Sequence, residues 1–198
     1  IDNFEAIKNL NKRVDIFPAI LKTSQFGYDG KGQSHVNNVL ELEDAFAKFN
    51  NKPCILEEKL DLDLEFSIVL ARSINRDYYE YPLIENQHEE GILDISIIPA
   101  RVSTMLKKEA SNIAKKIASN LNYIGVMAVE FFVSNNHLYV NEIAPRPHNS
   151  GHFSIDACFY SQFDQQVLTV AGSDPKNEEI KSPISVMLNI LGDLWFRK

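Results

Sequence analysis

Two apolar runs, VMAVEFFV (126–133) and HLYVNEI (137–143), stand either side of Ser134, Asn135 and Asn136, and each carries one acid, Glu130 or Glu142, in its interior. Short apolar runs separated by turn-forming residues read as a β-hairpin. A carboxylate inside an otherwise apolar strand is costly to bury unless a cation or hydrogen bonds compensate it. Because strand side chains alternate between faces, the turn decides whether the two acids meet. An odd loop centred on Asn136 pairs 130 with 142, whereas a two-residue loop at 135 and 136 separates their faces unless a bulge intervenes. We expect them on one face. Such a pair suits Mg²⁺, which takes oxygen ligands at about 2.0–2.1 Å and keeps phosphate and water in its shell. The competing reading puts one of the acids in a structural salt bridge at a strand end.

The remaining pattern predicts an α+β chain. Phe4, Ile7 and Leu10 repeat at helical spacing within 2–12, and IFPAILKT (16–23) forms a strand ending in Lys22 and Thr23. A glycine-rich loop, 25–33, precedes a helix marked by Leu42, Ala45, Phe46 and Phe49; strands follow in CILEEKL and EFSIVLAR (65–72). These elements make a small lobe, 1–73. In a larger lobe, 74–198, strands at 78–84 and 94–98 flank a polar loop, ENQHEEGIL, ahead of a long amphipathic helix over 104–122. After the hairpin come a loop, APRPHNSGHFS, and a helix from about 162 to 171 with Phe163, Val167 and Leu168 inward.

With 27 Asp and Glu against 20 Lys and Arg, the formal net charge of -7 opposes general attraction to nucleic acid or an anionic membrane. No window approaches the roughly 20 apolar residues of a membrane helix, and the start lacks signal-peptide architecture, so a cytoplasmic protein is expected. Cys54 and Cys158 lack metal-ligand spacing and are expected to be reduced and buried. The absence of an initiator Met points to a piece of a longer protein.

Two further features carry chemistry. In LKTSQFGYDGKGQ, Gly27, Gly30 and Gly32 let the backbone approach a ligand closely while Lys22 and Lys31 supply positive charge, which suits a polyphosphate. The spacing is neither that of a P-loop nor that of a dinucleotide fold. Arg146, His148, Asn149, Ser150 and His152 cluster after the second acid, with Pro145 and Pro147 restricting the backbone. Arg holds carboxylate or phosphate bidentately, and His hydrogen bonds or moves protons near neutrality.

Taken together, Lys22, FGYDGKGQ, ILEEKL ahead of Glu65, the acid pair and NEIAPRPHNSGH resemble the ATP-grasp superfamily, and within it the 5-(carboxyamino)imidazole ribonucleotide synthases. The resemblance implies an ATP-grasp fold with an antiparallel sheet in the larger lobe, lacking the family's N-terminal nucleotide-fold domain and C-terminal end. It implies ATP-phosphate contacts from Lys22 and from Gly27, Tyr28, Asp29, Gly30, Lys31, Gly32 and Gln33, with Phe26 departing from the fuller GGYDGKGQ form. Glu57, Glu58, Lys59 and Leu60 correspond to the adenine hinge, Glu65 to the ribose contact and His88 to another nucleotide-site position. Glu130 and Glu142 correspond to the Mg²⁺ ligands, with Asn141 beside them, and Arg146, His148 and Asn149 to the end that takes bicarbonate and 5-aminoimidazole ribonucleotide. The implied reaction is ATP-dependent carboxylation of that amine through carboxyphosphate, in purine biosynthesis, by a homodimer when full length; poor turnover is expected of the piece alone. A formate-using ATP-grasp ligase and a non-catalytic ATP-binding module are the competing readings.

Overall fold

The computed structural model describes residues 1–10, 16–25, 32–177, 180–190 and 192. The chain divides into two compact units, Ile1–Asp61 with Glu90–Ile92, and Leu62–Glu89 with Leu93–Lys198.

In the first unit, α1 (Phe4–Leu10), β1 (Ala19–Thr23), β2 (Gln33–Val36), α2 (Val39–Lys48) and β3 (Cys54–Glu58) follow in order. The strands form an antiparallel sheet in the order β2-β1-β3. Alternation along β1 sends Ala19 and Leu21 into a core with Ile7, Val36, Leu42 and Phe46, which places Lys22 on the opposite face. Helix α2 starts before its first core residue because Asn38 caps it, accepting from the Glu41 amide at 3.0 Å.

The second unit contains β4 (Leu64–Arg72), β5 (Tyr78–Glu80), β6 (Ile84–Glu89), β7 (Ile92–Ile98), α3 (Thr104–Asn120), β8 (Gly125–Ser134), β9 (His137–Ala144), α4 (Ser154–Ala157), α5 (Gln162–Val170) and β10 (Ser185–Leu188). Among the described residues its sheet has seven strands in the order β10-β7-β6-β4-β8-β9, with β5 also on β4. The compact units part at 61/62 and not at 73/74, because β4 pairs with β8 along its whole length, from Leu64 opposite Val133 to Arg72 opposite Gly125.

Both faces of β4 and β8 are covered, which explains their nearly unbroken apolar sequences. Phe66, Ile68, Leu70, Met127, Val129 and Phe131 lie under α3, whose buried Ala110, Ala114 and Ala118 let the helix approach closely. On the other face, Val69, Ala71, Val126 and Ala128 continue the core at one end. Glu65, Ser67 and Glu130 occupy the other end of that face, and the candidate site is built there.

Other expectations are corrected as well. The segment expected to be a polar loop, 85–93, is mostly strand, with a tight turn at Glu90 and Gly91. Its polar residues tolerate burial because they are paired. Asn86 donates to Ser67 Oγ at 2.6 Å and accepts from Ser96 Oγ at 3.2 Å, and the Glu85 carboxylate receives the Arg101 amide and guanidinium. Helix α5 is inverted relative to its hydrophobic pattern: Gln162, Gln165 and Thr169 are fully buried, while Phe163 and Val167 are 43% and 69% exposed. The buried amides act as substitute backbone. Gln165 accepts from Lys176 N at 2.9 Å and donates to Lys176 O at 2.7 Å, and Gln162 does the same for His148. Loops without ladder partners need such groups, so satisfying their backbone outweighed burying the Phe and Val side chains.

The loop expected at 144–154 likewise contains a 3₁₀ helix, Asn149–Phe153, leading into α4. Cys54 and Cys158 are free and buried. Among the described residues, no helix is long and apolar enough to cross a membrane.

Candidate functional site

The hairpin closes through a two-residue turn in which Asn135 and Asn136 both take positive φ, 50° and 61°, with Ser134 opposite His137. In a regular ladder this turn would set Glu130 against Asn141 and send Glu142 to the other face. A β-bulge between Glu130 and Phe131 changes the count: Phe131 pairs with Val140, but Glu130 pairs with Glu142. Asn141 is the extra residue. In a bulge two residues oppose one, so Asn141 and Glu142 both meet Glu130, and Asn141 Nδ2 donates to Glu130 Oε2 at 3.3 Å. The acids therefore share a face by the bulge, not by an odd turn.

His148 lies over this pair, its Nε2 3.4 Å from Glu130 Oε1. One ligand atom from each of Glu130, Glu142 and His148 lies within 4.8 Å of the others. The Glu130 side chain is only 12% exposed. Burial, then the neighbouring Glu142 charge, pushes its carboxyl up to about 7, while His88 and Asn141 act the other way. His148 moves oppositely, down to about 4, chiefly through burial and then through the charges of Arg146, His152 and His88. Although 3.4 Å is within ion-pair distance, burial drives both groups toward their neutral forms, so a full ion pair is the lesser description of this contact.

Two acids held together at such electrostatic cost fit a divalent cation. An oxygen-preferring ion such as Mg²⁺ would take the two carboxylates before the imidazole.

Further along the same sheet face, His88 Nδ1 contacts Glu65 Oε2 at 2.8 Å. That hydrogen bond raises the imidazole's pKa, with smaller contributions from the charges of Glu65, Glu130 and Glu142 and opposition from burial. In the loop, Arg146 Nη1 donates to Pro147 O at 2.9 Å, and Asn149 Oδ1 accepts from Ser150 N at 2.9 Å. His152 stacks on Phe163 with ring centroids 5.9 Å apart.

In the small unit, Lys22 Nζ lies 2.6 Å from Glu57 Oε2, the diagonal neighbour across β1 and β3. Gly32 has φ 79°, its carbonyl accepts from Thr23 N at 2.8 Å, and Gln33 stands opposite Lys22. Lys59 N donates to Pro18 O at 2.9 Å, fixing the backbone after Glu57 and Glu58 and before Leu60. Gly27, Tyr28, Asp29, Gly30 and Lys31 lie outside the described residues.

Sequence reasoning missed Ser67, Asn86 and Gln162. Ser67 sits directly opposite Glu130, and its signal was available as the one polar residue inside SIVLA. Gln162 had no comparable signal, since glutamine at a helix start ordinarily faces water.

Gly151 packs against that glutamine: a Cβ there would meet Gln162 Oε1 at 2.5 Å and Cδ at 2.7 Å. Gly151→Ala is expected to lower stability by about 1–3 kcal/mol, the usual range for overpacking, as a drop in thermal midpoint. An unchanged midpoint would show that the glutamine has room to move.

One unit with a small three-stranded antiparallel sheet and a second whose larger antiparallel sheet carries an acid pair are the parts of the ATP-grasp class, and the ATP-grasp domain family matches residues 1–163. The chain belongs to the ATP-grasp family. More particularly, it is 43% identical over 189 residues to the N5-carboxyaminoimidazole ribonucleotide synthase of Staphylococcus aureus (strain MRSA252), covering 93% of this chain and 50% of that relative. The chain thus spans about half the length of the curated relatives it matches. The crystal structure of the Staphylococcus aureus N5-carboxyaminoimidazole synthetase complexed with ADP superposes with a TM-score of 0.84 at 41% identity, over 93% of this chain and 50% of that one. The synthase from Aspergillus clavatus, in complex with ADP and 5-aminoimidazole ribonucleotide, gives a TM-score of 0.85 at 26% identity, over 97% and 50%.

Proposed function

We propose that this chain is the nucleotide- and metal-handling part of an enzyme that carboxylates 5-aminoimidazole ribonucleotide with bicarbonate, converting ATP to ADP and phosphate. The observation that carries the reading is the bulge that sets Glu142 against Glu130 beneath His148, in a chain whose relatives are named for this product. A cytoplasmic setting and a homodimeric assembly belong to the same reading.

A bicarbonate oxygen attacks the terminal phosphorus of ATP and the bond to the bridging oxygen breaks, giving carboxyphosphate and ADP. The amine nitrogen then attacks the carboxyl carbon, phosphate departs with the C–O electron pair, and the nitrogen loses a proton. Glu130 and Glu142 would hold Mg²⁺, which when bound neutralises phosphate charge and orients the phosphate chain. Lys22 and the 27–33 segment would contact the phosphates, the 57–60 segment the adenine edge, and Glu65 and His88 the ribose side. Arg146 and Asn149 would hold the bicarbonate and ribonucleotide end. Burial holds the His148 imidazole toward its neutral form, in which it would donate one hydrogen bond to an anion without adding charge. Most of the protein's work is positioning and charge neutralisation.

The test is phosphate release from ATP by the longest protein carrying this sequence. Release that requires both bicarbonate and 5-aminoimidazole ribonucleotide is expected. Release driven by formate and glycinamide ribonucleotide would overturn the substrate assignment; saturable ATP binding with no substrate-dependent release would reduce the chain to a binding module.

A further inference from the structure

The loop that carries His148 is held by contacts which neither the substrates nor the metal require. Gln162, fully buried at the start of α5, grips the His148 backbone twice: its Oε1 accepts from His148 N at 2.9 Å and its Nε2 donates to His148 O at 2.7 Å. The glutamine is itself anchored, since its backbone N–H donates to Ser154 Oγ at 2.9 Å while that hydroxyl donates to Gly151 O at 2.6 Å. On the imidazole side, Nδ1 lies 2.9 Å from the fully buried Ser150 Oγ and accepts from Ser150 N at 3.4 Å.

A backbone N–H can only donate: Ser150 N gives its shorter bond, 2.9 Å, to Asn149 Oδ1 and reaches Nδ1 at 3.4 Å, a pattern that assigns Nδ1 as the acceptor. In the neutral ring the proton then sits on Nε2, the atom that faces Glu130 Oε1 at 3.4 Å. This tautomer is assigned from the hydrogen-bond pattern. The inversion of α5 points the same way: the helix exposes Phe163 and Val167 in order to bring its glutamines inward.

We infer that Gln162 and Ser150 are positioning residues for the proposed carboxylation: Gln162 fixes where the His148 ring stands, and Ser150 fixes which of its nitrogens presents a proton toward the acid pair and the substrate anion beside it. The role rests on the function proposed above. Neither residue touches the reacting atoms. Their effect is exerted on the transition state through the direction of one donor, where small misplacements are expensive.

Two measurements test this. In the isolated chain with ¹⁵N-labelled histidine, the wild-type His148 ring is expected to show the Nε2–H tautomer, and Ser150→Ala is expected to give a mixture of tautomers. In the turnover assay, Ser150→Ala and Gln162→Glu, which keeps the acceptor for His148 N but loses the donor to His148 O, are expected to lower kcat about ten- to a hundredfold. KM for ATP should stay within about twofold, and Ser150→Thr should recover most of the rate. An Nδ1–H ring in the wild type overturns the inference, as does unchanged kcat and tautomer in Ser150→Ala. A parallel fall in kcat and ATP affinity that tracks lost folding also overturns it, by making the contacts merely structural. If Gln162→Glu fails to fold, Ser150→Ala alone decides. If the wild type shows no bicarbonate-dependent phosphate release, the proposed function has failed, and the tautomer measurement still decides whether these residues set the ring.

Discussion

Glu142→Gln is expected to lower bicarbonate-dependent ATP turnover at least about a hundredfold while leaving the fold intact. The residue is exposed, so the amide costs little packing, but one of the two carboxylates offered to a divalent ion is lost. Retention of near-normal rate by this variant would remove Glu142 from the proposed metal site. Glu130→Gln should be equally inactive yet behave differently in stability. The Glu130 carboxyl has its pKa raised to about 7 in the folded chain, against about 4.3 for an unfolded glutamate. A raised acid binds protons more tightly when folded. Its favourable contribution is therefore fully present below about pH 4.3 and is lost as pH rises through about 7. Without metal, Glu130→Gln should melt higher than wild type at pH 8, with little difference at pH 4, and divalent cation should stabilise the wild type alone. A lower melting temperature for the variant at pH 8 would mean that the acids are not in conflict.

Phe131→Ala is expected to destabilise the chain by about 3–5 kcal/mol, the range for emptying a fully buried aromatic site. Phe131 is inaccessible to solvent, stacks on Phe66 with centroids 5.3 Å apart and lies next to the bulge on the α3 side. Native stabilities of roughly 5–15 kcal/mol leave little margin for such a loss. Denaturant unfolding checks it, with Val167→Ser as the contrast. Read from the hydrophobic pattern of α5, Val167 should be core and its replacement costly. At 69% exposure it should instead change stability by no more than about 0.5 kcal/mol. A small loss for Phe131→Ala, or a large one for Val167→Ser, would contradict the packing described here.

How far the sequence could be read differs from element to element. Strands β4 and β8 announced themselves because both faces are buried, leaving an apolar run with few interruptions. Helix α3 did so because a single apolar stripe recurs along it. Strand β6 hid behind Glu85, Asn86 and His88, whose partners Arg101, Ser67, Ser96 and Glu65 are distant in sequence. Helix α5 misled for the same reason: its glutamines satisfy backbone groups of segments that only the fold brings near.

By itself the sequence determined that two acids would lie in adjacent strands, that a basic and histidine-bearing loop would follow them, and that a glycine-rich segment would precede them, since residue type and spacing along one chain suffice for that. The meeting of Glu130 with Glu142 was decided by a single extra residue in β9, and the placement of His148 above them by a glutamine from another helix. Register and long-range pairing depend on free-energy balances summed over many distant contacts, and no local pattern in the chain records that sum.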